Sequence, residues 1–189
     1  MSRTPLMSFE PVTIETAEPR AHELLETAQS NLGFVPTMYT YMGAQPSVLA
    51  GYMQTYGDFR ENSGFAPAEQ EVVFLTISRT NGCDYCMAAH SMIADNKSGV
   101  PEDVLAALRA GEDLPDAKLA ALSQFVETMV VTRGNPAKDA VDTFLDAGYE
   151  PQHVLGIVVA IACKTFSNYV NHLAGTPVDA AFADYKVAD

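Results

Sequence analysis

Basic residues are scarce in this chain. Its 189 residues include 11 lysines and arginines against 24 aspartates and glutamates, a formal net charge of −13. A surface with this excess of negative charge repels the phosphates of nucleic acid and anionic membrane surfaces. We therefore expect neither nucleic acid nor a membrane as a partner.

Linkers and long apolar segments are also missing. No Ser- or Gly-rich linker divides the chain, so we expect one domain over residues 1–189, with an extended N-terminal arm over about 1–17. The longest apolar run, Val154 to Cys163, is too short to span a bilayer, and the start, Met1 to Pro5, lacks the apolar core of a signal peptide. These features predict a soluble, cytoplasmic protein.

Cysteine is limited to three residues, so the thiols cannot all form pairs. A structural disulfide is rare in a reducing cytoplasm, and the Cys83 and Cys86 pair is therefore predicted to be catalytic or metal-binding. Cys163 is the cysteine left over. It lies inside the apolar run, and we expect it to be a small buried hydrophobic residue.

Alternating patterns typical of strands are absent over any useful length, whereas helical spacing recurs along the chain. The fold class predicted is all-α. The expected helices cover Glu18 to Asn31, Pro46 to about Arg60, Pro67 to Asn81-Gly82, Asp84 to about Lys97, Pro101 to Ala110, Asp116 to Arg133, Ala137 to Ala147 and Gln152 to Leu173. The segment before Pro46 contains four large apolar or aromatic residues, Met38, Tyr39, Tyr41 and Met42. They indicate a cluster in the core or at a subunit interface.

The main chemical motif is Cys83-Asp84-Tyr85-Cys86 followed by His90. With Asp84 as the predicted N-cap, Cys86 lies in the first turn of a helix and Cys83 just before it. Free backbone N–H groups and the helix dipole favour negative charge there, and the thiolate is the nucleophilic form of cysteine. His90 follows Cys86 by one turn on the same face, so its imidazole is placed to exchange a proton with the Cys86 sulfur.

Glu71 lies on the preceding helix, about three turns before Cys83. Antiparallel packing of the two helices would aim its carboxylate at His90 or at a bound water. A carboxylate oriented on His90 raises the basicity of the imidazole, which predicts a relay from Glu71 through His90 to a cysteine. Glu69, on a different face, is the second choice. Spacing leaves open which thiol attacks, because Cys83 is nearer the free N–H groups as an exposed thiol whereas Cys86 is in register with His90.

Zinc is an alternative reading of the same residues. Cys83, Cys86 and His90 could supply three ligands, with Glu71 or His172 as the fourth. This alternative is disfavoured because the ligands would crowd one helix start and no second cluster of Cys or His completes a familiar spacing. We therefore predict no metal.

For His172, near the end of a long helix, capping or a core hydrogen bond is favoured over an accessory catalytic role.

The string from Glu71 to His90, with Asn81-Gly82-Cys83-Asp84-Tyr85-Cys86-Met87-Ala88-Ala89-His90, resembles the signature of the alkylhydroperoxidase D and carboxymuconolactone decarboxylase superfamily. The resemblance is specific over about 68–98 and lies within a Cys-x-x-Cys core of about 46–110. Looser similarity in residues 32–36 and 171–177 is typical of the longer, peroxidase-related branch.

The resemblance implies an alkylhydroperoxidase D-like helical bundle assembled into a homo-oligomer, whether a dimer, trimer or hexamer. It implies a peroxidase in which Cys86 is the peroxidatic cysteine, oxidised by a hydroperoxide to sulfenic acid, and Cys83 the resolving cysteine that closes a disulfide. Glu71 and His90 correspond to the proton relay. The resemblance implies no cofactor, because the redox-active Cys83–Cys86 disulfide carries the electrons. The expected reductant is a dithiol or a lipoylated protein.

Tyr85 departs from the pattern of the best-studied peroxidases in the family, which carry a histidine between the two cysteines. Tyrosine donates a hydrogen bond but is not a base near neutral pH, so part of the relay is missing or replaced and Tyr85 is at most an accessory residue. Two other functions stay open on this scaffold. One is a lyase of the carboxymuconolactone decarboxylase kind, which needs no thiol pair, and the other is a non-enzymatic redox sensor.

Overall fold

A computed structural model describes residues 4–187, and all regular secondary structure in this range is helical. The helices are α1 Pro19–Leu32, α2 Thr37–Gly43, α3 Pro46–Asn62, α4 Pro67–Thr80, α5 Asp84–Asn96, α6 Glu102–Ala110, α7 Ala117–Val131, α8 Lys138–Asp146 and α9 Pro151–Ala174, followed by a C-terminal 3₁₀ helix, Ala180–Tyr185. The predicted all-α class is confirmed.

Proline and glycine set several helix boundaries. Proline is the first residue of α1, α3, α4 and α9, where its missing N–H has no intrahelical partner to lose. Gly175 ends α9 in the left-handed conformation, with φ of 59°, and its N–H donates to the carbonyl of Asn171. These signals explain why the predicted helix ends lie close to the observed ones.

Two short elements were not predicted from the sequence, namely α2 and the C-terminal 3₁₀ helix. Each covers fewer than eight residues, too short for helical periodicity to be recognised. α2 contains all four residues of the cluster predicted before Pro46, and three of them, Met38, Tyr39 and Met42, are buried in the core. The N-terminal arm, whose first three residues lie outside the described range, has no helix before α1 from residue 4 on; Leu6 N–H donates to the carbonyl of Leu173.

α4 is the central helix, and it packs against α5, α6, α7 and α9. Its residues from Gln70 to Ser78 are all buried, as expected of a helix surrounded by others. Glu71 therefore lies inside the molecule rather than on the surface. The packing of α5 against α4 brings the cysteine motif next to it.

α9 is long and apolar enough, by length and composition alone, to cross a membrane. The run Val154 to Cys163 is only part of it. A core helix of a soluble protein passes the same test, and α9 packs extensively against α3 and α4 and carries the buried polar side chains Lys164, Asn168 and Asn171. The contacts of α9 are those of a core helix.

Candidate active site

The two motif cysteines lie at the start of α5. Gly82, with φ of 68°, turns the chain after α4, and Cys83 N–H donates to the carbonyl of Ser78 at 2.8 Å. Cys83 is the N-cap and Asp84 the first helical residue, so the prediction that Asp84 caps the helix was wrong by one residue. Cys86 lies in the first turn, as predicted.

Both thiols are buried and free, with Cys83 1% and Cys86 2% exposed. The expectation that Cys83 is an exposed thiol was therefore wrong, because α9 covers the start of α5. Asn171 on α9 contacts both sulfurs, with its Nδ2 atom 3.6 Å from Cys83 Sγ and 3.4 Å from Cys86 Sγ. One amide group thus bridges the pair.

The environment distinguishes the three cysteines. For Cys86, burial acts against ionisation, but a hydrogen bond with Cys83 and the positive charge of Lys164 outweigh it and hold the pKa well below its usual value. The hydrogen bond with Cys86, together with burial, raises the pKa of the Cys83 thiol. Burial raises the pKa of Cys163 to about 11, which leaves it a protonated core residue at neutral pH. Cys86 is the thiol most easily ionised.

Glu71 and His90 are in direct contact. His90 Nδ1 lies 2.8 Å from Glu71 Oε2, and both side chains are buried. Because an ionised carboxylate only accepts, Nδ1 carries the donated proton and Nε2 keeps its lone pair. Burial and then the charge of Lys164 lower the pKa of His90 despite Glu71, so the imidazole is neutral near pH 7.

Glu69, the competing carboxylate, is used elsewhere. Its Oε2 accepts the N–H of Ala66 at 2.9 Å at the start of α4, and its Oε1 lies 3.0 Å from Lys118 Nζ. This arrangement caps α4. Of the two carboxylates, Glu71 is the one that meets His90.

Arg60, at the end of α3, is a site residue that sequence reasoning missed. Its Nη2 lies 2.5 Å from Glu71 Oε1, while His90 occupies the other oxygen of that carboxylate. Burial acts to raise the pKa of Glu71, but His90 and Arg60 prevail and lower it. Arg60 also donates to Tyr56 and Gln70. A basic residue in a last helical turn is ordinary, so nothing local marked it.

Tyr85 is directed to the C-terminal segment. Its hydroxyl donates to Asp179 Oδ2 at 2.5 Å, the other oxygen of that carboxylate accepts from the Thr37 hydroxyl, and its ring meets Phe182 edge to face. Burial, and then Asp179, raise the pKa of Tyr85. Tyr85 is thus a protonated donor that joins α5 to the segment after α9.

His172, the possible accessory residue, contacts the turn that precedes the cysteine motif. A ring N–H at His172 Nε2 donates to the carbonyl of Gly82 at 3.2 Å, just before the motif. Within residues 4–187, no group of three or more His, Cys, Asp or Glu side chains is arranged to hold a metal ion.

α9 contributes polar residues that the sequence analysis did not single out. Lys164, Asn168 and Asn171 are buried at spacings of four and three, so they share one helix face. Asn168 accepts from Asn81 at 2.8 Å. A polar stripe on an apolar helix was the signal that could have revealed them.

The described residues thus form an all-helical fold with a buried Cys-x-x-Cys pair and a buried Glu71–His90 hydrogen bond. Residues 46–127, which include Glu71 to His90, match the model of the carboxymuconolactone decarboxylase family. No curated protein sequence matches the chain significantly. The match to the family model supports the alkylhydroperoxidase D-like and carboxymuconolactone decarboxylase superfamily that the motif resembles.

Three solved structures share the fold. A peroxidase-related protein from Ralstonia eutropha JMP134 with an alkylhydroperoxidase AhpD core has a TM-score of 0.80 at 17% identity, over 95% of this chain and 96% of that one. The debrominase Bmp8 has a TM-score of 0.75 at 20% identity, over 93% and 94%. A peroxidase-related protein from Silicibacter sp. TM1040 has a TM-score of 0.73 at 20% identity, over 95% and 96%.

Proposed function

We propose that this protein is a thiol-dependent peroxidase that cycles Cys83 and Cys86 between dithiol and disulfide. The observation that carries the proposal is the buried Glu71–His90 hydrogen bond beside a cysteine pair in which Cys86 ionises readily. The resemblance to peroxidase-related proteins supports the same chemistry.

The first step oxidises Cys86. Neutral His90 takes the Cys86 proton at Nε2, and the thiolate attacks the terminal oxygen of a hydroperoxide. The S–O bond forms as the O–O bond breaks, and the leaving alkoxide takes a proton from the imidazolium to depart as an alcohol. Cys86 is left as sulfenic acid. Burial of both thiols supports a small hydroperoxide as the substrate.

The second step uses Cys83. Its sulfur attacks the Cys86 sulfenic sulfur, the S–S bond forms, and hydroxide combines with the Cys83 proton to leave as water. A dithiol then reduces the disulfide by thiol exchange. A lipoyl group on a partner protein, which is narrow and mobile, suits thiols covered by α9.

Glu71 and Arg60 position the base in this scheme. The carboxylate holds His90 in the tautomer with a free Nε2, and Arg60 fixes the carboxylate from its other oxygen. Tyr85 takes no part in proton transfer, because its hydroxyl is committed to Asp179. The relay therefore works with one histidine.

Reductive debromination is a second candidate, favoured by the structural likeness to debrominase Bmp8, whose cysteine-to-alanine variant was solved with 2,3,4-tribromopyrrole. In that reaction Cys86 would take bromine from carbon, Cys83 would displace bromide to close the disulfide, and a proton would replace bromine on the ring. The two thiols supply both electrons. The rings of Tyr39 and Tyr52, which pack edge to face within electrostatic reach of Cys86, would be the aromatic neighbours of a flat substrate at this thiol.

Mass spectrometry after one equivalent of tert-butyl hydroperoxide tests the proposed function. The wild type should form a Cys83–Cys86 disulfide, and Cys83→Ser should trap sulfenic acid on Cys86. Turnover with dithiol and hydroperoxide distinguishes an enzyme from a redox sensor, which would form the disulfide without sustained peroxide consumption. Bromide release from a bromopyrrole, without peroxide consumption, would favour the second candidate.

A cytoplasmic homo-oligomer forms part of the same proposal. Large apolar side chains on α9 are exposed, among them Leu155, Val158, Tyr169 and Leu173. Exposed apolar patches of this kind mark subunit interfaces, and self-association would bury them. Light scattering of the purified protein tests the assembly, and a monomer at micromolar concentration would contradict it.

A further inference from the structure

Lys164 is buried beside the thiol pair without a hydrogen-bond partner. It is 1% exposed, and among residues 4–187 its Nζ atom has no donor–acceptor contact. Nζ lies over the face of Phe74, 5.0 Å from the ring centroid. Burial of an unpaired ammonium group is strongly unfavourable, so we expect an anion near Nζ.

The position of Lys164 indicates where that anion lies. Lys164 shares a face of α9 with Asn171, whose amide reaches both Cys83 and Cys86. Phe74, which Lys164 contacts, also packs against His90 with ring centroids 4.8 Å apart. Lys164 therefore lies on the same side of the core as the motif, within electrostatic reach of Cys86 and His90.

Other charged and titratable groups face this region from the neighbouring helices. They are Tyr39 on α2, Tyr52, Tyr56 and Arg60 on α3, Glu71 on α4 and His90 on α5. Burial raises the pKa of each of the three tyrosines, so they stay neutral at physiological pH. Glu71 is already paired with His90 and Arg60. Cys163, next to Lys164 on α9, is protonated because burial raises its pKa to about 11, so among these described groups the Cys83 and Cys86 pair is the one left to supply a negative charge.

We propose that Lys164 is the buried counter-ion of the Cys86 thiolate, a positioning residue that sets the reactivity of Cys86 and the reduction potential of the Cys83–Cys86 couple. The proposal rests on the proposed function only in taking Cys86 as the reacting thiol. It assigns Lys164 no contact with the substrate.

The redox consequence follows from charge. In the reduced protein Lys164 faces a thiolate, whereas the disulfide is neutral and leaves the ammonium group without a counter-ion. A cation that stabilises the reduced form makes the disulfide a stronger oxidant. Lys164 thus acts on both halves of the cycle, since it favours the thiolate and makes the disulfide easier to reduce.

Lys164→Met tests the proposal, with Lys138→Met as the matched control. Lys138 is exposed and pairs with Asp142 on α8, so its loss removes the same charge far from the thiols. Alkylation of Cys86 by iodoacetamide is followed from pH 4 to 10 by peptide mass spectrometry, and the couple is titrated against glutathione. In Lys164→Met, alkylation of Cys86 at pH 7 should fall about tenfold and the reduction equilibrium should shift about tenfold towards disulfide, roughly 30 mV.

The variant should fold, because methionine is an apolar side chain of similar length and Cys86 can take up a proton once its counter-ion is lost, so the Tm should stay near that of the wild type. Lys164→Gln gives a second uncharged variant, and Lys164→Arg should retain an alkylation profile nearer the wild type. Identical profiles and potentials in wild type and Lys164→Met would overturn the proposal. Alkylation needs no peroxide, so a shifted profile in a protein without peroxidase activity would sink the proposed function and leave this inference standing.

Discussion

His90 Nδ1 donates to Glu71 Oε2 across 2.8 Å inside the core, and the partners come from two helices that are adjacent in sequence. This bond determines which nitrogen of His90 is free to act as a base. Arg60 approaches the other oxygen of the same carboxylate. Arg60, Glu71 and His90 thus form one connected set of side chains next to the thiols.

Glu71→Gln should lower the rate of Cys86 oxidation by about 100-fold or more, because an amide offers one acceptor oxygen to the two donors His90 and Arg60 and no charge to fix the His90 tautomer. Unfolding free energy should fall by about 3–5 kcal/mol, since Arg60 is left beside a neutral amide. Stopped-flow peroxide consumption and urea unfolding measure the two effects. Glu69→Gln is the control, with weaker capping of α4 but an unchanged rate; equal loss in both variants would contradict a specific role for Glu71.

Arg60→Lys should reduce peroxidase activity by roughly ten- to hundredfold, by analogy with the residues that orient metal-ligating histidines through hydrogen bonds. Lysine keeps the charge but cannot contact Glu71, Tyr56 and Gln70 at once as the guanidinium does. Steady-state kinetics with tert-butyl hydroperoxide provide the measurement. Wild-type activity in this variant would show that Glu71 needs no support from α3.

Tyr85→Phe should leave Cys86 oxidation at the wild-type rate and weaken attachment of the C-terminal segment. The lost hydrogen bond is to a carboxylate, so stability should fall by about 1.5–3 kcal/mol. Limited proteolysis should cut the segment after α9 sooner, and Asp179→Asn should behave similarly. A large loss of peroxidase activity without a change in proteolysis would place Tyr85 in the relay instead.

Cys163→Ala should retain full peroxidase activity, whereas Cys86→Ala should abolish it. Cys163 is protonated at neutral pH, since burial raises its pKa to about 11, and its removal should cost about 1 kcal/mol of stability. Activity assays together with thiol counting after peroxide treatment test this difference. Loss of activity in Cys163→Ala at unchanged Tm would make it a third redox residue.

Acid should remove both activity and stability. The pKa of His90 is lowered, so the neutral base persists below its usual titration range near pH 6.5 and activity should extend into mildly acidic solution. The folded pKa of Glu71 is also lowered, so its contribution to stability is present above the unfolded value near 4.5 and is lost as pH falls through the folded one. Chemical unfolding as a function of pH should lose this acid-range slope in Glu71→Gln.

Local sequence was sufficient for the helices that carry the motif. Pro67 and Asn81-Gly82 bound α4, and the spacing from Cys86 to His90 puts both on one face of α5 whatever surrounds it. The choice of Glu71 over Glu69 as the partner of His90 also followed from helix geometry. The N-cap and the exposure of Cys83 were misjudged, because both depend on the turn at Gly82 and on cover from α9.

The amino-acid order alone thus specifies the all-α class, the superfamily motif and the position of Cys86 and His90 on one helix face, since these depend on residue spacing over a short stretch. Packing determines the rest. Tyr85 meets Asp179 across 94 positions and Asn171 reaches Cys86 across 85, and no local pattern encodes such distant contacts. Arg60 and Lys164 became site residues only because burial brought their charges next to a carboxylate and a thiol pair, where low polarity strengthens every electrostatic interaction.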